Sequence, residues 1–128
     1  MTYSYEATDG LLLFTVSGEL TMYNIAALLD GIERACGEQP SRNVLICGQE
    51  IDLIDSAAFG MLVKRHARLL QEGGRICFTE LRANVASALR QLHLDETLRH
   101  FAQRSEALGS SSSFSVSKAL RGRRTVEL

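Results

Sequence analysis

The chain has 128 residues, which suits a single domain, and 45% of them are hydrophobic against 23% charged. This balance is ordinary for a soluble globular protein and leaves room for a core without disulfides or metals. The formal net charge of −1 provides no overall field that would attract nucleic acid or an anionic membrane.

The first elements predict a β-hairpin followed by a helix. Residues 3–8 and 11–17 alternate apolar and polar side chains, and Asp9-Gly10 between them is a strong turn signal. The sequence Gly-Glu-Leu at 18–20 is expected to break the second strand. Thr21 can then cap a helix over residues 22–38, in which apolar side chains recur at helical spacing.

The middle of the chain predicts a buried strand and a second helix. Residues 44–47, Val-Leu-Ile-Cys, form a short apolar run that is typical of a strand buried on both faces of a parallel or mixed sheet. Residues 48–55 are expected to form an acidic linker, and residues 56–71 a helix that ends at Gly73-Gly74. Its buried side should carry Phe59, Leu62, Val63 and Leu70.

The remaining elements complete an α/β pattern. We expect a strand at 75–79, a helix at 83–92, a short strand at 98–101 and a helix beginning at 104. The order β-β-α-β-α-β-α-β-α predicts a mixed sheet of four to five strands with about four helices and right-handed crossovers.

The chain divides into an acidic body and a basic tail. Residues 1–108 carry 10 basic and 14 acidic side chains and should form the one domain. Residues 109–128 carry four basic and one acidic side chain, and begin with a glycine and four serines. This composition predicts a Ser-rich linker and a basic C-terminal tail.

Several features predict a cytoplasmic protein. The N-terminus lacks the basic region and apolar run of a secretory signal, and no apolar stretch is long enough to span a membrane. The three cysteines, Cys36, Cys47 and Cys77, are isolated and form no C-x-x-C pair, so buried reduced thiols are expected rather than a metal site or disulfides.

The most informative segment is residues 51–62, IDLIDSAAFGML. Asp55 or Ser56 can cap the helix that starts there, and a cap alone would explain both residues. The same position also puts the Ser56 hydroxyl near the surface, beside free backbone amides and the positive end of the helix dipole. A phosphate would be tolerated at such a place, so Ser56 is also a candidate switch residue.

These residues resemble the STAS domains best known from anti-sigma factor antagonists. Residues 54–60 resemble the family's D-S-S-G-L-G segment, and Gly18-Glu19-Leu20 resembles its G-E-L/I-D turn. Residues 71–78, with their paired glycines, and residues 94–108, LDETLRHFAQRSEAL, are similar to the segments that follow. The resemblance covers about residues 4–108 and implies the STAS fold.

The resemblance implies a phosphorylatable binding protein rather than an enzyme. In that family the serine after the motif aspartate, Ser56 here, is phosphorylated by a partner anti-sigma factor that is also a serine kinase. The unphosphorylated antagonist binds that partner, which frees the sigma factor. Phosphorylation releases the antagonist from the partner, and a PP2C-type phosphatase removes the phosphate. No cofactor, metal or nucleic acid is implied. The expected partner-binding residues are Gly18, Glu19, Thr21, Asp52, Asp55, Ser56, Ala57, Ala58 and Phe59.

The sequence departs from the motif at three positions and leaves other roles open. Ala57 and Ala58 replace the motif's second serine and glycine, and Thr21 replaces the aspartate after G-E-L. A STAS subunit of a stressosome scaffold or of a lipid-transport ABC system is the alternative function. A receiver-like phosphoacceptor at Asp55 is disfavoured, because receivers begin with a strand and an acidic pair rather than a hairpin.

Catalysis and metal binding are weaker hypotheses. Ser56 with His66, His93 or His100 would suggest a nucleophile and base, but His66 is ten residues along the same predicted helix, about 15 Å from Ser56. Glu50, Asp52 and Asp55 could hold Mg²⁺ or Ca²⁺, although these cations usually need more ligands. We expect an acidic, solvated loop that shapes a docking surface.

Overall fold

The computed structural model describes residues 1–8, 10–39 and 42–108, which form a mixed α/β structure. The elements in chain order are β1 (Thr2–Thr8), β2 (Leu11–Leu20), α1 (Ile25–Glu38), β3 (Asn43–Ile54), α2 (Ser56–Gln71), β4 (Arg75–Thr79), α3 (Ala83–Gln91), β5 (His100–Phe101) and α4 (Arg104–Leu108). Asp9 of the predicted turn, Pro40 and the predicted tail lie outside the described residues.

The described strands form one sheet in the order β1-β2-β3-β4-β5. β1 and β2 are an antiparallel hairpin, and each later pair is parallel, as the predicted crossovers require. The mixed α/β class, the hairpin at the start and the number of elements agree with the sequence prediction.

The main core lies between the sheet and helices α1, α2 and α3. Alternate residues of the hairpin point into it, and Tyr5 stacks on Phe14 with ring centroids 5.0 Å apart. The other face of the sheet carries a smaller cluster, which includes Leu11, Leu45, Cys77 and Ala107 of α4. All three cysteines are buried and free, as expected. Burial raises the pKa of the Cys77 thiol to about 11, so that thiol stays protonated at neutral pH.

Two strands are longer than the sequence predicts. β2 does not end at Gly18 but continues to Leu20, because its last residues pair with the end of β3, Leu20 opposite Ile54. The predicted linker at residues 48–55 is mostly the second half of β3, in which Ile51 and Ile54 are buried, while Asp52 and the apolar Leu53 between them are exposed. The pairing of β2 with β3 has register irregularities in this region, and Gly18 has a φ of +91°.

Two helix details also differ from the prediction. α1 begins at Ile25 and not at 22, since residues 21–24 form a separate hydrogen-bonded turn. On α2 the buried residue near the end is Leu69, whereas Leu70 is 48% exposed. Within the described part of the chain, no helix has the length and apolar character needed to cross a membrane.

Candidate functional site: the carboxyl edge of β2 and β3

The predicted site residues come from two segments of the chain that the sheet brings together. β2 and β3 run parallel and end side by side, with Glu19 opposite Leu53 and Leu20 opposite Ile54. The turn at 21–24 leaves the end of β2, and α2 starts directly after β3. Residues some thirty positions apart in sequence therefore share one edge of the sheet, which we call the carboxyl edge (residues 17–24 and 49–57).

Asp55 joins the two halves of this edge. It is the N-cap of α2, and its Oδ1 accepts a hydrogen bond of 2.7 Å from the backbone N–H of Ala58. Its Oδ2 accepts a second bond, 3.1 Å long, from the backbone N–H of Met22. The Asp55 N–H in turn donates to the carbonyl of Leu20 at 3.0 Å. One residue thus caps the helix and holds the end of β2 against it.

The first turn of α2 has an exposed half and a buried half. Ser56 and Ala57 are exposed, so the serine hydroxyl is open to another protein. Ala58 and Phe59 are fully buried, and the Phe59 ring meets Phe78 edge-on at 6.4 Å. These two side chains support the helix from inside, and the sequence-based assignment of direct partner contact to them does not fit their burial.

The other predicted partner-binding residues lie along the same edge. Gly18 is half-buried, and Glu19 is exposed and accepts a bond from Asn24 Nδ2 through its backbone carbonyl. The half-buried Thr21 accepts from the N–H of Tyr23 through Oγ1. Asp52 forms an exposed ion pair of 2.6 Å with Arg82, which directs its carboxylate toward the start of α3. Asp52 is therefore on the α3 side of this edge.

Sequence reasoning missed two exposed residues of this edge. The side chains of Met22 and Tyr23 are 59% and 89% exposed, and Met22 donates its N–H to Asp55. The sequence assigned them to the first turn of α1. The available signal was a pair of large apolar residues directly after the predicted break at 18–20, where a solvated turn would usually carry polar side chains.

A comparison with protein families decides the affiliation. The sequence model of the STAS domain matches residues 2–107, which is most of the chain. The chain belongs to the STAS domain family. A search of curated proteins finds no significant match.

Solved structures share the fold of this STAS domain at low sequence identity. An anti-sigma factor antagonist from Mycobacterium paratuberculosis is 21% identical, with a TM-score of 0.71 over 84% of this chain and 92% of that one. Unphosphorylated SpoIIAA, an anti-sigma factor antagonist, is 18% identical, with a TM-score of 0.69 over 83% and 92%. A sulfate transporter family protein from Wolinella succinogenes is 17% identical, with a TM-score of 0.66 over 80% and 84%.

Two of the histidines considered as a general base for Ser56 have structural roles in this STAS domain. His66 is buried, and its Nδ1 accepts a bond of 3.0 Å from the backbone N–H of Ile76. The Nε2 of His100 accepts a bond of 3.1 Å from the N–H of Leu81. Burial is the main cause that lowers the pKa of both rings, aided by Arg75 at His66 and by Arg90 at His100. Both rings are therefore neutral acceptors at pH 7.

Two of the three acidic residues considered as metal ligands have other roles. Asp52 pairs with Arg82, and Asp55 holds two backbone amides. Among residues 1–8, 10–39 and 42–108, no three His, Cys, Asp or Glu side chains are grouped as a metal site would require.

Proposed function

We propose that this STAS domain is an anti-sigma factor antagonist that regulates transcription by binding an anti-sigma factor that is also a serine kinase. Binding occurs when Ser56 is unphosphorylated, and phosphorylation of Ser56 by the partner releases the antagonist. The observation that carries the proposal is the exposed Ser56 at the first position of α2, directly after the capping aspartate Asp55.

The local structure supports a phosphorylatable serine. A kinase must bring the γ-phosphate of ATP in line with the serine oxygen, which requires a hydroxyl that is open to the surface. The product carries a charge of about −1.5 to −2, and the start of a helix is where the fold best tolerates it. The buried Ala58 and Phe59 anchor the helix, so modification of Ser56 need not disturb the core.

The same charge would disfavour a docked partner. Glu19, Glu50, Asp52 and Asp55 already make the carboxyl edge acidic, and a phosphate placed beneath a partner loses its hydration on docking. The kinase supplies the catalytic groups, and the STAS domain supplies only the acceptor. A PP2C-type phosphatase would restore the hydroxyl and with it the binding.

A pair of Ser56 variants tests the switch. Ser56→Asp should bind the kinase at least about tenfold more weakly, because a mismatched charge at an interface typically costs about 2–5 kcal/mol and each tenfold in affinity is about 1.4 kcal/mol. Its free energy of unfolding should change by less than about 1 kcal/mol, because the helix dipole favours the new charge. Ser56→Ala should bind like the wild type and accept no phosphate.

The measurement is titration of each variant against the purified kinase, with transfer of labelled phosphate from ATP as the second readout. Circular dichroism and urea unfolding provide the control for folding. Equal binding by Ser56→Asp, together with labelling of Ser56→Ala, would place the switch at another residue and reject the proposal.

A further inference from the structure

The turn at residues 21–24 is held by a dense set of hydrogen bonds. The N–H of Thr21 donates to Asn24 Oδ1 at 2.9 Å, and the N–H groups of Asn24 and Ile25 donate to the Thr21 carbonyl at 3.1 and 2.9 Å. The N–H of Tyr23 donates to Thr21 Oγ1, and that of Met22 donates to Asp55. Every backbone N–H from 21 to 25 therefore has an acceptor, so this turn has one defined shape.

This well-ordered turn presents two large apolar side chains to solvent. Tyr23 is 89% exposed, whereas Tyr3 and Tyr5 are 3% and 4% exposed. Leaving a side chain of this size in water forgoes about 1.5–3 kcal/mol of burial free energy. Both side chains are mostly exposed, and tyrosine and methionine are enriched in protein interfaces. A rigid turn also lowers the ordering cost of binding.

The surroundings indicate which partner the turn suits. Met22 is bonded to Asp55, the residue before Ser56, so the turn and the switch residue belong to one surface. The segments that form the carboxyl edge, residues 17–24 and 49–57, contain four acidic residues and no lysine or arginine. Only Asp52 has an ion-pair partner among the described residues, Arg82. The exposed apolar centre thus has an acidic rim.

We propose that Met22 and Tyr23 form the apolar anchor through which this STAS domain docks on its kinase, in a hollow of the kinase that is apolar at its centre and basic at its rim. The inference rests on the proposed function, because it names the kinase as the occupant. It adds that most of the docking free energy comes from the turn at 21–24 rather than from Ser56 itself, so that the serine is free for phosphoryl transfer.

Alanine variants of the anchor test this division of roles. The probe is the purified kinase that phosphorylates Ser56, titrated with Tyr23→Ala, Met22→Ala and the control Leu70→Ala. Leu70 is an apolar residue whose 48% exposure is close to the 59% of Met22, but it lies near the far end of α2. Tyr23→Ala should weaken binding at least about tenfold, as interface hot spots do, and Leu70→Ala less than about threefold. Affinity should also fall with added salt, because the rims carry opposite charges.

Nitration of tyrosine provides a second readout that needs no variant. Tetranitromethane should modify Tyr23 in the free protein well before the buried Tyr3 and Tyr5. Saturating kinase should protect Tyr23. Nitration of Tyr23 at an unchanged rate in the complex overturns the anchor.

The outcomes separate the anchor from the switch. Wild-type affinity of Tyr23→Ala, with weakened binding of Ser56→Asp, overturns the anchor and leaves the proposed function intact. Loss of binding by Tyr23→Ala, with unchanged binding of Ser56→Asp and labelling of Ser56→Ala, supports the anchor and rejects the switch. If no kinase binds the wild-type protein, both proposals are overturned.

Discussion

His66 shows how a titratable side chain can serve as a purely structural acceptor. Its Nδ1 accepts the N–H of Ile76, the second residue of β4, so the ring ties α2 to the sheet. Protonation of that nitrogen would remove the bond and leave a charge in the core. Burial, with Arg75 nearby, lowers the pKa of the folded His66 below its ordinary value of 6.5.

This predicts a loss of stability in mild acid. With the folded pKa below the unfolded one, the unfolded chain binds the proton first, so stability is complete above about pH 6.5 and falls as the pH drops toward the folded pKa. His66→Asn keeps an acceptor at the δ position and removes the titration. The unfolding free energy of this variant should change less with pH in this window. The slope should be smaller than that of the wild type by at most about 1.4 kcal/mol per pH unit.

Urea unfolding at several pH values between 4.5 and 8, in steps of about half a unit, measures this slope. His100→Asn also removes a lowered pKa, but its Nε2 acceptor is lost in asparagine, so this variant should be less stable at every pH as well as less sensitive to acid. An unchanged slope in His66→Asn would mean that other groups set the acid sensitivity.

At the level of single residues, the sequence predicted what depends on local chemistry. Asp55 and Ser56 could be recognised because a helix start is encoded within a few residues. The exposure of Tyr23 could not be recognised, since it depends on where β2 ends and on the bond from Met22 to Asp55, a residue more than thirty positions away. The burial of Phe59 likewise follows from its packing against Phe78 of β4.

Helix α1 contains two glycines with opposite surroundings. A Cβ built on Gly31 would lie 1.9 Å from the hydroxyl oxygen of Tyr3 on β1, so only glycine lets the helix and the edge strand approach this closely. A Cβ on Gly37 meets nothing within 4 Å. The two positions therefore separate the effect of packing from that of helix propensity.

Alanine at these positions should change stability in opposite directions. Gly31→Ala should destabilise the protein by about 1–3 kcal/mol, because the ring of Tyr3 or the helix must move. Gly37→Ala should be neutral or stabilising by up to about 1 kcal/mol, since alanine favours the helix. Urea midpoints of both variants give the comparison. Equal midpoints would show that β1 can move away from α1 without a loss of stability.

The elements themselves were predictable to different degrees. α1, α2 and α3 have apolar side chains at helical spacing, a signal contained in the local sequence. The second half of β3 was not recognised as a strand, because Gln49, Glu50 and Asp52 read as a loop. Its extended conformation is fixed by pairing with β2, which places Ile51 and Ile54 in the core.

For the molecule as a whole, the predicted domain boundary at residue 108 can be tested by truncation. Residues 109–128 lie outside the described residues, and the family match ends at 107. Deletion of residues 110–128 should change the unfolding free energy by less than about 1 kcal/mol, because the segment begins with a low-complexity serine run.

Thermal melts of the full chain and the truncated chain provide the measurement, and 1 kcal/mol corresponds to a shift of about 4 °C for a domain of this size. A larger fall in Tm would indicate that apolar residues of the segment, such as Phe114 or Leu120, contribute to the core.

The antiparallel hairpin has a practical consequence for studies of this protein. Since Thr2 pairs with Ser17, the chain begins at the same end of the sheet as the turn that carries Tyr23. Met1 lies close to Gly18: a Cβ built on Gly18 would be 3.3 Å from the Cα of Met1. An affinity tag fused ahead of Met1 would emerge beside the proposed docking surface and hinder immobilised assays. A small fluorophore on the α-amino group would instead report docking without altering a side chain.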